Sequence, residues 1–369
     1  MTPTFKIESN LRLCAAALAG DTEALHALAN SPGHEELVAS NRLAPALAIR
    51  ATDLGVDGPE LGTWMRHMRH NAVMRMRLEA ARHHLSETLA ATGISWAPLK
   101  GLGLDPRIHP RPEERISTDL DVLVSPIHAE PAVEALVSHG WRSTETTDRR
   151  RSYTLDEGYN WHLASSDGLP LELHFRLWGG VTEKLAADIF ERARPAPEFG
   201  PTARRIDLAD TYLVAAVHVW QTPPPRYLFL WWDLHRMASI LNDSDVRGVI
   251  ARAEDHGLHA YVASSAGTAA DLWKNPTNRK IANELENGLR PPERWAAATM
   301  RSSSPGTASL GTLTLGRLLA NRTSRSGWRA VIRQIWAHPG TVEAATPEEW
   351  SWPRRRLTHL ARRLHLTKK

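Results

Sequence analysis

Cysteine is almost absent from this 369-residue chain: Cys14 stands alone, so no internal disulfide can form. A solitary thiol with no base placed beside it reads as a small buried apolar residue rather than a nucleophile. Long apolar runs are missing too. The first twenty residues, MTPTFKIESNLRLCAAALAG, offer only a short apolar patch, broken by Arg12 and followed by Asp21. The pattern predicts a cytoplasmic protein without a membrane span. Acidic residues are lacking at positions 351–369, SWPRRRLTHLARRLHLTKK, which hold seven Lys or Arg. The whole chain carries +4 and this tail +7, leaving −3 for the remainder, so the basic character is local. Leu357, Leu360 and Leu364 recur there at helical spacing. That spacing suggests a short amphipathic helix whose Arg residues face water or an acidic partner.

What is present is globular composition, 42% hydrophobic and 23% charged, enough for one large domain or a few ordinary ones. Residues 1–91 read as helices, with Asp21 a cap before TEALHALA and a long helix from about Pro59 to Ala91 that stops at Thr92-Gly93. His67, His70, His83 and His84 on that helix lie among Arg66, Arg69 and Arg82 with no Cys or acidic ligand nearby. Solvated helix faces explain them better than a metal cluster does.

At Gly93 the apolar period changes from 3.6 to 2. ISWAPLKG and ISTDLDVLV read as strands, HAEPAVEALVSHG as a helix, and the segment around YTLDEGYNWHLASSDGLPLELHFRLW as a hairpin turning at Ser166-Asp167-Gly168. From Asp207 the chain is helical again, in DLADTYLVAAVHVW and RYLFLWWDLHRMASIL, separated by Thr222-Pro-Pro-Pro225. The expectation is an α+β fold. A small mixed β-sheet core at 92–205, with helices on one face, is flanked by an N-terminal helical region at 1–91 and a helical region at 206–300. A Trp- and Arg-rich region at 301–369 carries the basic tail.

The chemistry concentrates in two strands. In ISTDLDVLV, alternation sends Leu120, Val122 and Val124 to one face and Asp119 and Asp121 to the other. Two like charges so close repel, so a basic neighbour, open water or a metal ion should compensate them. In LPLELHFRLW, Leu171, Leu173, Phe175 and Leu177 take the buried face, and Glu172, His174 and Arg176 the other. If the strands are neighbours, Asp119, Asp121 and Glu172 share one exposed surface, a set of oxygen ligands suited to Mg²⁺ or Mn²⁺. A pair of such ions would clamp the attacking and leaving oxygens of a phosphoryl or nucleotidyl transfer. Upstream, Lys100, Gly101 and Gly103 end a short apolar strand where a backbone could approach phosphate oxygens, and Arg107, Arg111 and Arg115 follow. Asp233 sits in a strongly apolar helix, where a charge needs either a core Arg or a ligand. Trp231 and Trp232 beside it read as core.

The succession of LKG, then R-x-S-x-D-x-D-x-L-V from Arg115 to Val124, then Gly140-Trp141, LELHFRLW, His218 and WWDLH resembles the uncharacterised nucleotidyltransferase family of the DNA polymerase beta superfamily. The likeness covers roughly residues 65 to 245. It implies that Asp119 and Asp121 are metal ligands and Glu172 the third carboxylate. It further implies an NTP substrate and a separate acceptor, with Lys100, Arg115 and Ser117 as candidates for holding the nucleotide and Lys100 also catalytic. From their positions, Gly101 and Asp233 are further candidates for the nucleotide, and His174 and Arg176, on the face of Glu172, either orient the carboxylates or contact the substrate. Where that superfamily starts its nucleotide loop with Gly-Ser, this chain has Lys100-Gly101, and seventeen residues separate Gly101 from Asp119. Two other readings stand beside it: a non-catalytic nucleotide-binding regulator, and a nucleic-acid binder acting through the basic tail.

Overall fold

The computed structural model describes residues 9–104, 107–144, 151, 154–155, 158–177, 183–220 and 227–302. The basic tail, the Ser-rich loop preceding it and Thr222-Pro-Pro-Pro225 lie outside the described residues.

The N-terminal part is helical, as α1 (Ser9–Leu18), α2 (Thr22–Ala29), α3 (Glu35–Ser40), α4 (Ala44–Leu54) and the long α5 (Leu61–Ala91). Asp21 caps α2 by accepting the Ala24 amide at 3.0 Å, which satisfies one of the donors a helix start leaves orphaned. Cys14 is fully buried in α1, and burial pushes its thiol up to about 12. The four histidines of α5 are exposed.

The sheet that follows contains β1 (Trp96–Pro98), β2 (Leu120–Val124), β3 (Arg142–Ser143), β4 (Asn160–Ala164) and β5 (Pro170–His174), in the order β1-β2-β5-β4-β3. The β2–β5 pair is parallel and the other pairs antiparallel, so the sheet is mixed. A parallel pair needs a crossover, and α6 (Ala129–Ser138) with the β3–β4 pair supplies it. The β4–β5 hairpin turns where the sequence signals it: Gly168 is left-handed at φ 86°, and Ser165 Oγ accepts the Leu169 amide.

Helices α7 (Glu183–Arg192), α8 (Leu208–His218), α9 (Leu228–Ala238), α10 (Asp243–Asp255), α11 (His259–Trp273), α12 (Pro276–Gly288) and α13 (Pro291–Ser302) complete the α+β architecture. A short β6–β7 pair, Arg194–Pro195 with Arg204–Arg205, lies between α7 and α8.

Two apolar clusters organise the chain. One joins Leu78, Leu85 and Leu89 of α5 and Leu136 of α6 to Leu120, Val122, Val124, Trp161, Leu171 and Leu173 of the sheet. The other joins α1, α2 and α4 to α8–α13 and reaches the sheet through Ala97, Leu99 and Leu123. Trp231 and Trp232 belong to it, with Trp231 edge-on to Trp220. Helices therefore cover both faces of the sheet, where the sequence pattern led us to expect one. Leu123 explains the difference: it shares the face of Asp121 and is itself buried, so that face has an apolar half to cover. Leu177, expected beside Phe175, joins the second cluster because β5 ends at His174 and the alternation ends with it.

Candidate active site

Between the polar face of the sheet and the helices α8 and α9 lies an open cavity of about 310 Å³. Its centre is set by strand register, because Asp121 pairs with Glu172 across the parallel β2–β5 ladder. His174, two residues further along β5, projects from the same face. Its Nε2 stands 3.0 Å from Asp121 Oδ1 and 3.3 Å from Glu172 Oε2, and Asn160 Nδ2 donates to the same Glu172 oxygen at 2.9 Å. The β1–β2 ladder delivers the cation. Leu99 donates its amide to the Asp121 carbonyl at 2.9 Å, and the next residue, Lys100, places Nζ 2.7 Å from Asp121 Oδ1.

The compensation for the paired aspartates is thus a basic neighbour. Asp121 is only 8% exposed. Burial disfavours its charged form, but Lys100 and the His174 hydrogen bond outweigh burial and hold its carboxyl far below the usual carboxylate range. Burial likewise opposes protonation of His174, yet Asp121 and Glu172 raise its pKa. The His174 hydrogen bond keeps Glu172 low against burial and the Asp121 charge. Asp119 behaves differently: burial, then the charges of Asp121 and Glu172, raise its pKa, and Lys100 and Arg42 offset this only in part.

These observations correct two expectations. The carboxylates do not lie on an exposed surface, because α8 and α9 close over that face. Nor does Asp119 join the tight group. Asp121, Glu172 and His174 bring their ligand atoms within 4.8 Å of one another, whereas Asp119, one residue before β2 begins, lines the cavity outside that set. Two carboxylates and an imidazole at this spacing suit one divalent cation. His174 Nδ1 is buried, with no hydrogen-bond partner among the described residues.

The loop from Lys100 to Asp119 returns to its starting point. Gly101 is left-handed at φ 54°, and a Cβ there would lie 3.0 Å from Ser117 Oγ and 3.6 Å from Arg115 Nη1. Gly103 packs so tightly on Pro98 that a Cβ would approach its carbonyl within 2.7 Å. At the far end, Asn71 of α5 donates to the backbone carbonyls of Glu113 and Arg115. Arg115 Nε donates to Asp233 Oδ2 at 2.9 Å and its Nη1 to Ser117 Oγ at 3.1 Å, while His109 Nε2 sits 2.7 Å from Asp233 Oδ1.

The family model described as uncharacterised nucleotidyltransferase matches residues 36–274. The chain belongs to that family. Curated proteins returned no significant match. Membership gives nucleotidyl transfer as the reaction class, and the match spans every residue of the cavity named above. Among the described residues no helix is long and apolar enough to cross a membrane.

Within this nucleotidyltransferase, Lys100, Gly101, Arg115, Ser117, Asp119, Asp121, Glu172 and His174 all line the cavity. Arg176 and Asp233 do not line it. Arg176 lies beyond the end of β5 and donates to the Leu155 and Gly158 carbonyls at 2.8 and 2.9 Å. Asp233 is 3% exposed, and both its oxygens are engaged, by His109 and Arg115. It holds a cavity arginine without facing the cavity. Arg111 is paired with Asp53 and lies outside the cavity.

Four cavity residues have no local signal in the sequence: Arg42, Tyr159, Tyr227 and Phe229. Tyr159 stacks on His174 with ring centroids 6.1 Å apart. His218, which the family resemblance marks only as part of a helix, also lines the cavity, and burial together with the Lys100 charge pushes its imidazole down to about 3. It is neutral at physiological pH.

Proposed function

We propose that the protein is a metal-dependent nucleotidyltransferase that moves a nucleoside monophosphate from an NTP to an acceptor and releases pyrophosphate. The observation that carries this reading is the Asp121–Glu172 register pair, flanked by Asp119 and facing Lys100 and Arg115 across one cavity. Asp121, Glu172 and His174 would hold Mg²⁺ or Mn²⁺, with Asp119 positioned for the phosphate side. When bound, such an ion polarises phosphoryl oxygens and neutralises charge that develops on them.

The chain's own residues supply the rest. The acceptor's nucleophilic atom forms a bond to the α-phosphorus while the bond to the β-phosphate oxygen breaks, and the electron pair departs with pyrophosphate. Lys100, Arg115, Ser117 and the Gly101 backbone surround the β and γ oxygens, where negative charge gathers. Asp233 and His109 keep the Arg115 guanidinium aimed, so little reorganisation is needed on binding. Glu172 Oε1, the oxygen not engaged by Asn160 or His174, receives the acceptor's proton.

Incubating the full-length protein with each NTP labelled at the α-phosphate, Mg²⁺ and cell extract tests this directly. Transfer of label to an acceptor that stops on chelation is the expected result. Plain hydrolysis, or no turnover of any NTP, contradicts it.

A further inference from the structure

Arg42 comes from the N-terminal helices, far in sequence from the carboxylates, and it lines the same cavity. It follows α3 at the position where helices commonly turn left-handed. Its amide bonds to the Ala39 carbonyl at 3.0 Å, and the Leu43 amide bonds to the Val38 carbonyl at 3.0 Å, which together make a Schellman closure. Glycine is the usual occupant of such a position because a side chain is strained there. Here φ is 57° and the residue is arginine. The turn is pinned from the other side, since Asn41 Oδ1 accepts the Leu228 amide at the start of α9.

That amide contact sets Arg42 against the aromatic residues bracketing Leu228. Its guanidinium carbon lies 4.6 Å from the Tyr227 ring centroid and 5.7 Å from that of Phe229. Arg115 uses the same Phe229 ring, at 5.3 Å. Three cations thus face one cavity. Lys100 is answered by Asp121 and Arg115 by Asp233. Arg42 makes no ion pair with a carboxylate among the described residues: its charge acts on Asp119 only through space, and its guanidinium rests on the two rings. Cation–π contact holds a guanidinium in place but does not neutralise it.

From this geometry we propose that Arg42 is a substrate-binding residue for the nucleotide's terminal phosphates, completing with Lys100 and Arg115 a polyphosphate grip to which the N-terminal helices contribute directly. A multiply charged anion is the fitting ligand, because two guanidiniums share one aromatic ledge and only Arg115 is held in an ion pair by a carboxylate. The Tyr227–Phe229 ledge preorganises the fork, so an arginine is required rather than any cation. The proposal rests on the transfer reading above but is tested without turnover.

Binding of inorganic tripolyphosphate to the full-length protein is measured by calorimetry for the parent and for Arg42→Asn, Arg42→Lys and Phe229→Leu. Asparagine tolerates a left-handed backbone, so Arg42→Asn removes the charge without forcing the turn to change. Loss of a charge-assisted contact weakens binding by about tenfold to a hundredfold. That loss is expected for Arg42→Asn, with Arg42→Lys and Phe229→Leu intermediate. A folded Arg42→Asn protein that binds tripolyphosphate as the parent does overturns the proposal, even if α-label is still transferred. Weakened binding in Arg42→Asn supports it, even if the parent transfers no label and the reaction assignment fails instead. A parent that does not bind tripolyphosphate overturns the grip itself.

Discussion

On one face of the sheet, Leu120, Val122, Leu171 and Leu173 meet α5 and α6 in an all-apolar contact. On the other, one residue along the same strands, Asp121 stands beside Glu172 and His174. Both faces are largely withdrawn from water, and the means differ. The first is stabilised by area removed from solvent and by close packing. The second carries charges whose desolvation costs free energy, offset only by the geometry of Lys100, His174 and Asn160 around two carboxylates. A face built that way adds little to stability for its size, and it holds acceptor oxygens in fixed positions beside a cavity. The apolar face is the scaffold and the polar face is the tool.

The largest effect that would break this comparison is expected at Asp121. Asp121→Asn should lower turnover by on the order of a hundredfold or more, as removal of a strong electrostatic stabiliser does. It should also destabilise the fold by up to about 3–5 kcal/mol, since Lys100 is left with an unanswered charge and His174 with Glu172 alone. A net gain in stability, expected if mutual repulsion of Asp119 and Asp121 dominated, would show that the pairing seen here does not hold the face together. Denaturant unfolding alongside a turnover assay decides between them.

Leu173→Ala, on the opposite face of the same strand as Glu172, should cost about 2–5 kcal/mol through lost burial and the cavity left behind. Its turnover per folded molecule should stay at the parent value. A parallel loss of activity in folded protein would mean that the apolar face tunes the chemistry as well as supporting it.

A smaller effect separates the faces by pH. The Asp121 carboxyl is depressed in the folded state, so its stabilisation is present above the unfolded carboxylate pKa and is lost as pH falls below about 4. Lowering pH from 5 to 3 should therefore reduce the unfolding temperature of the parent more than that of Asp121→Asn. Equal losses would assign the acid sensitivity to other carboxylates.

Much of this division is legible in the sequence, because a period of two states which residues share a face. Alternation assigned Leu120, Val122, Leu171 and Leu173 to one side and Asp121, Glu172 and His174 to the other, and the β2–β5 register follows that assignment. Alternation is silent about what covers a face, which is why the carboxylates were expected in open water and lie instead beneath α8 and α9. It also fails where a strand stops. Arg176 continues the written pattern of His174 but falls past the end of β5, and its guanidinium turns to backbone carbonyls. Asp233 was readable as a buried charge needing either an Arg or a ligand, but not as which of the two; Arg115 is the partner it takes. Arg42 and the Tyr227–Phe229 ledge were not readable, because they reach the cavity through packing between helices nearly two hundred residues apart, sealed by the hydrogen bond from the Leu228 amide to Asn41.

The central claim is that the polar face is a reaction site, and Asp119 tests it best because it lines the cavity without belonging to the Asp121–Glu172 pair. Its pKa is raised by burial and by its acidic neighbours, so losing its charge should not weaken the fold. The decisive measurement is transfer of α-phosphate label from NTP in Mg²⁺ by the parent and Asp119→Asn, with thermal unfolding of the same samples. The account predicts a fall in transfer of on the order of a hundredfold with an unfolding temperature equal to or above the parent's. Transfer at the parent rate, or loss of transfer accompanied by loss of the fold, would contradict it.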